Sequence, residues 1–100
     1  MVNIYYKEHL SPHGNVLAVC DKELLGKKIE NSEISVKISE AFYGRTEISA
    51  GALKEKLKSF DNINLIGEQA VKTAVEEKLA EQKNIIFLGK IPHLQIYKIG

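Results

Sequence analysis

The sequence predicts a single α+β domain over residues 1–100, with one mixed, mostly antiparallel sheet and two main helices on one face of it. The strands are predicted by alternation of apolar and polar residues near both ends and by a continuous apolar run at 16–20. Two later stretches, 49–60 and 68–82, repeat apolar residues every three or four positions, which is typical of amphipathic helices. With 100 residues, of which 44% are hydrophobic and 27% charged, the chain can bury one core but is too short for two domains.

The first two predicted strands form a hairpin. Residues 2–9 alternate, and this pattern assigns Val2, Ile4 and Tyr6 to the buried face. Turn-forming residues fill positions 11–15. The apolar, β-branched run at 16–20 then predicts a second strand that is buried on both faces.

The middle of the chain predicts a short helical turn and a third strand. Asp21 is placed to cap the turn and Gly26 to end it. Residues 33–39 alternate again, which predicts a strand with three inward side chains, namely Ile34, Val36 and Ile38. The segment 41–45 interrupts this pattern and is predicted to be a turn.

The second half predicts helices interleaved with strands. Ser49 is placed as the N-cap of a helix that runs to Phe60, and a short strand follows at 63–66. The second helix is expected to cover 68–82, with Val71, Val75 and Leu79 towards the core. Two last strands are predicted at 85–88 and 93–99, and the run from 63 to 88 has the form of a parallel crossover.

Charge and cysteine content restrict the class of protein. Fourteen basic and 13 acidic residues leave a net charge of +1, which disfavours a strongly basic nucleic-acid binder but allows a local basic patch. The lone Cys20 cannot form an internal disulfide, so a disulfide-stapled secreted scaffold is excluded. The N-terminus has no signal-like apolar segment, and no apolar run approaches the roughly 20 residues that span a bilayer. We therefore expect a cytoplasmic protein without a membrane partner.

No metal or cofactor site is predicted. His9 and His13 have the i, i+4 spacing of helical metal ligands, but Pro12 and Gly14 favour a hairpin tip there. No Walker motif or spaced triple glycine is present.

An enzymatic alternative uses Cys20, Asp21 and His93. A thiol beside a histidine is the pairing found in thiol hydrolases, which need the thiolate as nucleophile. The competing interpretation is that Cys20, at the end of an apolar strand, is a small core residue.

The best sequence candidate for a binding surface is the segment 42–45. It combines two aromatic rings, a glycine and Arg45, the mixture with which proteins stack bases and hold phosphates. The predicted surface consists of Lys22, Lys27, Lys28, Tyr43 and Arg45. The alternative is an ordinary loop with a buried aromatic side chain.

Four segments together resemble a known family. They are AVCDKELLGK at 18–27, FYG at 42–44, NLIGEQAV at 64–71 and IPHLQ at 91–95. In this order and spacing they resemble the small archaeal family catalogued as domain of unknown function number 424, over essentially the whole chain. The resemblance implies an archaeal cytosolic protein of one domain with no established activity. Members often have a second glycine after Phe-Tyr-Gly, where this chain has Arg45.

Three hypotheses for function follow. The first is a non-enzymatic binding module for RNA or a translation-associated protein, without a cofactor. The second is the small enzyme with the Cys20, Asp21 and His93 site. The third is a structural homodimer formed through an exposed sheet edge.

Overall fold

Eight strands and three α-helices make up the fold in the computed structural model, which describes residues 3–30 and 33–98. In chain order they are β1 (Ile4–His9), β2 (Val16–Asp21), β3 (Lys28–Glu30), β4 (Ser35–Lys37), α1 (Glu40–Tyr43), β5 (Thr46–Glu47), α2 (Ala50–Ser59), β6 (Asn62–Ile66), α3 (Glu68–Glu76), β7 (Ile86–Leu88) and β8 (Ile91–Tyr97). Single turns of 3-10 helix lie at Lys22–Leu24 and Gln82–Asn84.

Six strands form one mixed sheet in the order β5-β1-β2-β6-β8-β7. The β2–β6 pair is parallel and the other neighbouring pairs are antiparallel, so the predicted sheet class is confirmed. The predicted hairpin of β1 and β2 is confirmed as well. The third predicted strand differs, because β4 pairs with β3 in a separate two-stranded sheet.

Both main helices pack on one face of the sheet, as predicted. Ser49 caps α2 by accepting a hydrogen bond from the backbone N–H of Ala52, and Phe60 ends the helix. The apolar stripes of the helices meet inward-facing strand residues in one buried cluster. It contains Leu53 and Leu57 of α2, Ala70, Val71 and Ala74 of α3, and Leu17, Val19, Ile63, Leu65, Leu94 and Ile96 of the sheet. Removing one of these large side chains would cost roughly 2–5 kcal/mol.

A second, smaller core covers part of the opposite face. Cys20 and Ile66 point to this side and are covered by Leu24 of the 3-10 turn and by Ile38. Tyr5 is also buried here, which corrects the one-sided assignment of the first strand. The alternation pattern failed because the start of β1 is covered on both faces, by the helix-side core at Ile4 and by the smaller core at Tyr5. Val2 lies outside the described residues.

Two helix boundaries differ from the prediction. The segment predicted to be a turn at 41–45 overlaps α1, because Ser39 accepts a hydrogen bond from the backbone N–H of Phe42 and caps the helix. The second main helix ends at Glu76 and not near residue 82. Lys78 takes a left-handed φ of 59°, which breaks the helix and turns Leu79 back onto the core.

The predicted crossover exists in a modified form. β7 runs in the same direction as β6, but β8 lies between them and is antiparallel to both. The adjacent parallel strands are β2 and β6. No helix within the described ranges is long and apolar enough to cross a membrane.

Candidate functional site

The face of the sheet opposite α2 and α3 is only partly covered, and its uncovered part carries polar side chains. We call this part the open face and define it by Asn62, Asn64, His93, Gln95 and Tyr97. The strand register aligns Asn62 with Tyr97 and Asn64 with Gln95, so these four side chains share one face of β6 and β8. The amide Nε2 of Gln95 lies 3.4 Å from Oδ1 of Asn62 and donates to it. The Tyr97 side chain is 72% exposed.

The open face offers hydrogen-bonding groups without negative charge. On the described residues of β1, β2, β6, β7 and β8, every carboxylate belongs to Glu8 or Asp21, and strand alternation directs both to the helix side. Burial lowers the pKa of His93 below its usual value of 6.5, so this imidazole is neutral at pH 7. The face therefore presents amides, a neutral imidazole and a phenol ring.

Tyr43 supports the open face and is not part of a free surface. Its ring is buried, and its hydroxyl donates to Oδ1 of Asn64 at 2.7 Å. Burial is also the main reason that the pKa of Tyr43 is raised to about 12. This side chain therefore ties α1 to β6 and offers no exposed ring on which a base could stack.

The structure brings two of the predicted basic residues to the same place. Lys22 forms an ion pair with Glu47 at 2.6 Å, and its ammonium lies 5.7 Å from the centre of the Tyr5 ring. Arg45 pairs with Glu40 and also interacts with the Tyr5 side chain. Both pairs are exposed, so they contribute little to stability and exchange readily for other partners.

The other two predicted cations lie on the small sheet. Lys28 begins β3 and pairs with Glu30 at 2.8 Å, and Lys27 precedes it directly. Both side chains are exposed.

Cys20, Asp21 and His93 do not converge. Cys20 is fully buried on the side of the sheet away from α3, whereas the next residue, Asp21, points to α3. His93 shares the face of Cys20, but Ile66 of β6 lies between them in the strand register. Two interstrand spacings amount to roughly 9–10 Å, which a direct hydrogen bond cannot bridge.

Asp21 has a different role, because its carboxylate caps the start of α3. Its two oxygens accept hydrogen bonds from the backbone N–H groups of Gln69 at 3.0 Å and Ala70 at 2.8 Å. These are the donors that the residue preceding a helix usually satisfies. That residue here is Gly67, which has no side chain and sits directly against Asp21.

The burial of Asp21 predicts a specific pH dependence. Burial raises the pKa of this carboxyl group above its usual 3.8, and the two N–H donors oppose the shift only in part. The native protein therefore holds the proton to a higher pH than the unfolded chain does. Consequently the Asp21 contribution to the free energy of unfolding falls as pH rises from 3.8 through the native pKa. Urea unfolding across this pH range should show that the free energy of unfolding falls more steeply for the parent than for Asp21→Asn. If the two free energies changed in parallel with pH, the prediction would be contradicted.

Strand pairing explains why the open face was missed in the sequence. The alternating polar positions of β6 and β8 are visible at 62–66 and 91–97, but nothing in the sequence shows that these strands are neighbours. Within residues 3–30 and 33–98, no three histidine, cysteine or acidic side chains converge as a metal site would require.

Comparison with known proteins gives a family and a fold. The sequence model of a family described as "Protein of unknown function (DUF424)" matches residues 9–99. No curated protein matches the chain. The crystal structure of an uncharacterized conserved protein from Methanopyrus kandleri is similar, with 30% sequence identity and a TM-score of 0.80. That match covers 94% of this chain and 90% of the other.

Proposed function

This chain belongs to the DUF424 family of proteins of unknown function, and from its structure we propose that it is a non-enzymatic binding module for single-stranded RNA. The observation that carries the proposal is the open face, where amide side chains and an exposed tyrosine lie in register on adjacent strands. Single-stranded RNA is recognised in this way, by bases that stack on aromatic rings and are hydrogen-bonded at their edges.

Three groups on the open face have a defined part in this binding. The exposed ring of Tyr97 offers a stacking platform for one base. The amides of Asn62 and Gln95 carry both donors and acceptors, so they can pair with the edge of a splayed-out base. β6 and β8, the two strands that form the open face, carry no carboxylate, which avoids repulsion of phosphates there.

Two cations on the same side of the sheet, beyond the opposite end of β2 from Tyr97, can hold the RNA backbone. Lys22 and Arg45 lie around Tyr5, whose ring belongs to the core on the helix-free side. Their present partners are exposed glutamates, which a phosphate can displace at little cost. Arginine suits this contact because its planar guanidinium can donate two hydrogen bonds to one phosphate.

A binding titration with a mixed-sequence, single-stranded oligoribonucleotide tests the proposal. Stacking is worth roughly 1–3 kcal/mol per base, so Tyr97→Ala should weaken binding by about tenfold with an unchanged salt dependence. Tyr97→Phe keeps the ring and should bind like the parent. Arg45→Ala should reduce the slope of log affinity against log salt concentration by about one, which corresponds to the loss of one phosphate contact.

Lys72→Ala is the matched control for Arg45→Ala. Lys72 is an exposed cation on α3, on the opposite side of the sheet, so its loss should change neither affinity nor salt slope. A parent protein that fails to bind at about 50 mM salt, where backbone contacts are strong, would end the RNA proposal. In that case a translation-associated protein becomes the better candidate partner.

A further inference from the structure

We propose that β7 pairs with the β7 strand of a second copy of this chain, so that two six-stranded sheets join into one continuous sheet. The proposal rests on the backbone of Phe87, on the side chains of β7 and on the register that a two-fold axis would impose. It is independent of the RNA proposal.

The backbone of Phe87 is directed away from the sheet. β7 is an edge strand whose single neighbour among the described strands is β8. The carbonyl of Pro92 accepts a hydrogen bond from the Gly67 N–H at 2.9 Å, so it points towards β6 and not towards β7. Phe87 is paired with Pro92, and its own N–H and C=O must therefore point outward, by the alternation of antiparallel ladders.

The side chains of this edge are apolar and exposed. Ile86 is 61% exposed and Phe87 62% exposed, and they lie on opposite faces of the strand. The edges of native sheets are usually protected by charged residues, proline or a covering segment. β7 consists of isoleucine, phenylalanine and leucine, and so carries no such charge or proline.

A two-fold axis through Phe87 pairs the two β7 strands in a register that brings no unfavourable residues opposite each other. Phe87 would lie opposite Phe87 of the partner subunit and exchange both hydrogen bonds with it. Ile86 would then lie opposite Leu88 of the partner subunit, and Asn84 opposite Lys90 of the partner subunit. No like charges face each other in this register, and the apolar pairs stabilise the contact.

The helix side of β7 has room for the two phenylalanine rings. A groove of about 430 Å³ lies beside Phe87. Its apolar lining comes from Val71 and Val75 of α3 and from Ile85 and Pro92. Each ring can therefore pack over a groove when the two copies meet.

The shortness of β7 favours a second copy over an extended partner peptide. The edge is three residues long and is followed directly by the turn at Gly89 and Lys90. It thus offers one outward-facing residue with one donor and one acceptor, which a two-fold pair satisfies completely. A longer added strand would find no further ladder partners along β7.

Sedimentation equilibrium over a range of protein concentrations tests this dimer. The mass should rise from 11.2 kDa to twice that value as concentration increases. Phe87→Lys should weaken the association more than about tenfold, because a central apolar contact is lost and two like charges meet at the axis. The ring is largely exposed, so the fold should persist, and circular dichroism checks this.

Ile86→Lys is a second variant at the same edge, and Tyr97→Lys is the control on the neighbouring strand. Ile86→Lys should also weaken the dimer, whereas Tyr97→Lys, whose side chain is exposed but away from the β7 edge, should not. A parent that stays monomeric at every concentration would overturn the proposal. A dimer that survives both edge substitutions would place the interface elsewhere and overturn it as well.

Discussion

Replacing Gly67 with alanine should destabilise the protein by about 4 kcal/mol, a large part of the roughly 5–15 kcal/mol by which a domain is usually stable. Gly67 adopts φ 109° and ψ 156°, a backbone conformation that is essentially restricted to glycine and costs other residues of order 1–3 kcal/mol. A Cβ atom there would also lie 2.3 Å from Cγ of Asp21. Moving Asp21 aside would leave the N–H groups of Gln69 and Ala70 without their acceptor, which costs a further 1–3 kcal/mol, roughly.

Gly14→Ala provides the matched control for this prediction. Gly14 also has a positive φ, 132°, but no atom lies within 4 Å of a Cβ placed on it. Its substitution therefore introduces backbone strain without a collision. Urea unfolding should show a clearly smaller loss for Gly14→Ala than for Gly67→Ala. Equal losses would mean that the contact with Asp21 contributes nothing to stability.

Cys20 should be labelled by a thiol reagent about a thousandfold more slowly in the native protein than in the unfolded chain at neutral pH, because only the thiolate reacts. Burial, with a smaller effect of the neighbouring Asp21, raises the pKa of this thiol from 9.0 to about 12. Each unit of pKa lowers the thiolate fraction about tenfold. The Cys20 side chain is also fully buried, which slows the reaction further.

An exposed thiol provides the comparison. The substitution Ser35→Cys, made in a Cys20→Ser background, puts a thiol on β4 at a position where the side chain is exposed. This variant should react at a similar rate whether it is folded or unfolded. If native Cys20 reacted as fast as the thiol introduced on β4, it would be accessible and activated. The hypothesis of a small thiol enzyme would then regain support.

Local signals predicted the parts of the fold that depend on one segment. Ser49 and the stripe of Leu53 and Leu57 define α2 almost to the residue, because capping and helical periodicity act within a few positions. The continuous apolar run of β2 likewise predicted burial on both faces. In contrast, the separate β3–β4 sheet depends on which strands meet, and no local pattern encodes that choice.

The site was harder to predict because exposure is a tertiary property. Tyr43 lies in a segment whose composition is typical of base stacking. However, α1 turns its ring into the core and its hydroxyl towards Asn64. Lys22 and Arg45 are 23 positions apart in the chain and meet only because β5 pairs with β1 beside the end of β2. The open face similarly exists only once β6 and β8 are neighbours.

The Asp21 carboxylate has a consequence for what the start of α3 can bind. Nucleotide-binding folds bind a phosphate with backbone N–H groups at a place where a strand passes through glycine into a helix. Here two of those N–H groups are held by a carboxylate on β2, one of the two central strands of the same molecule. Tethering gives this internal anion an effective concentration that a free phosphate cannot match under ordinary conditions. The helix end is thus permanently occupied, and the strand–glycine–helix junction serves to connect the two halves of the chain.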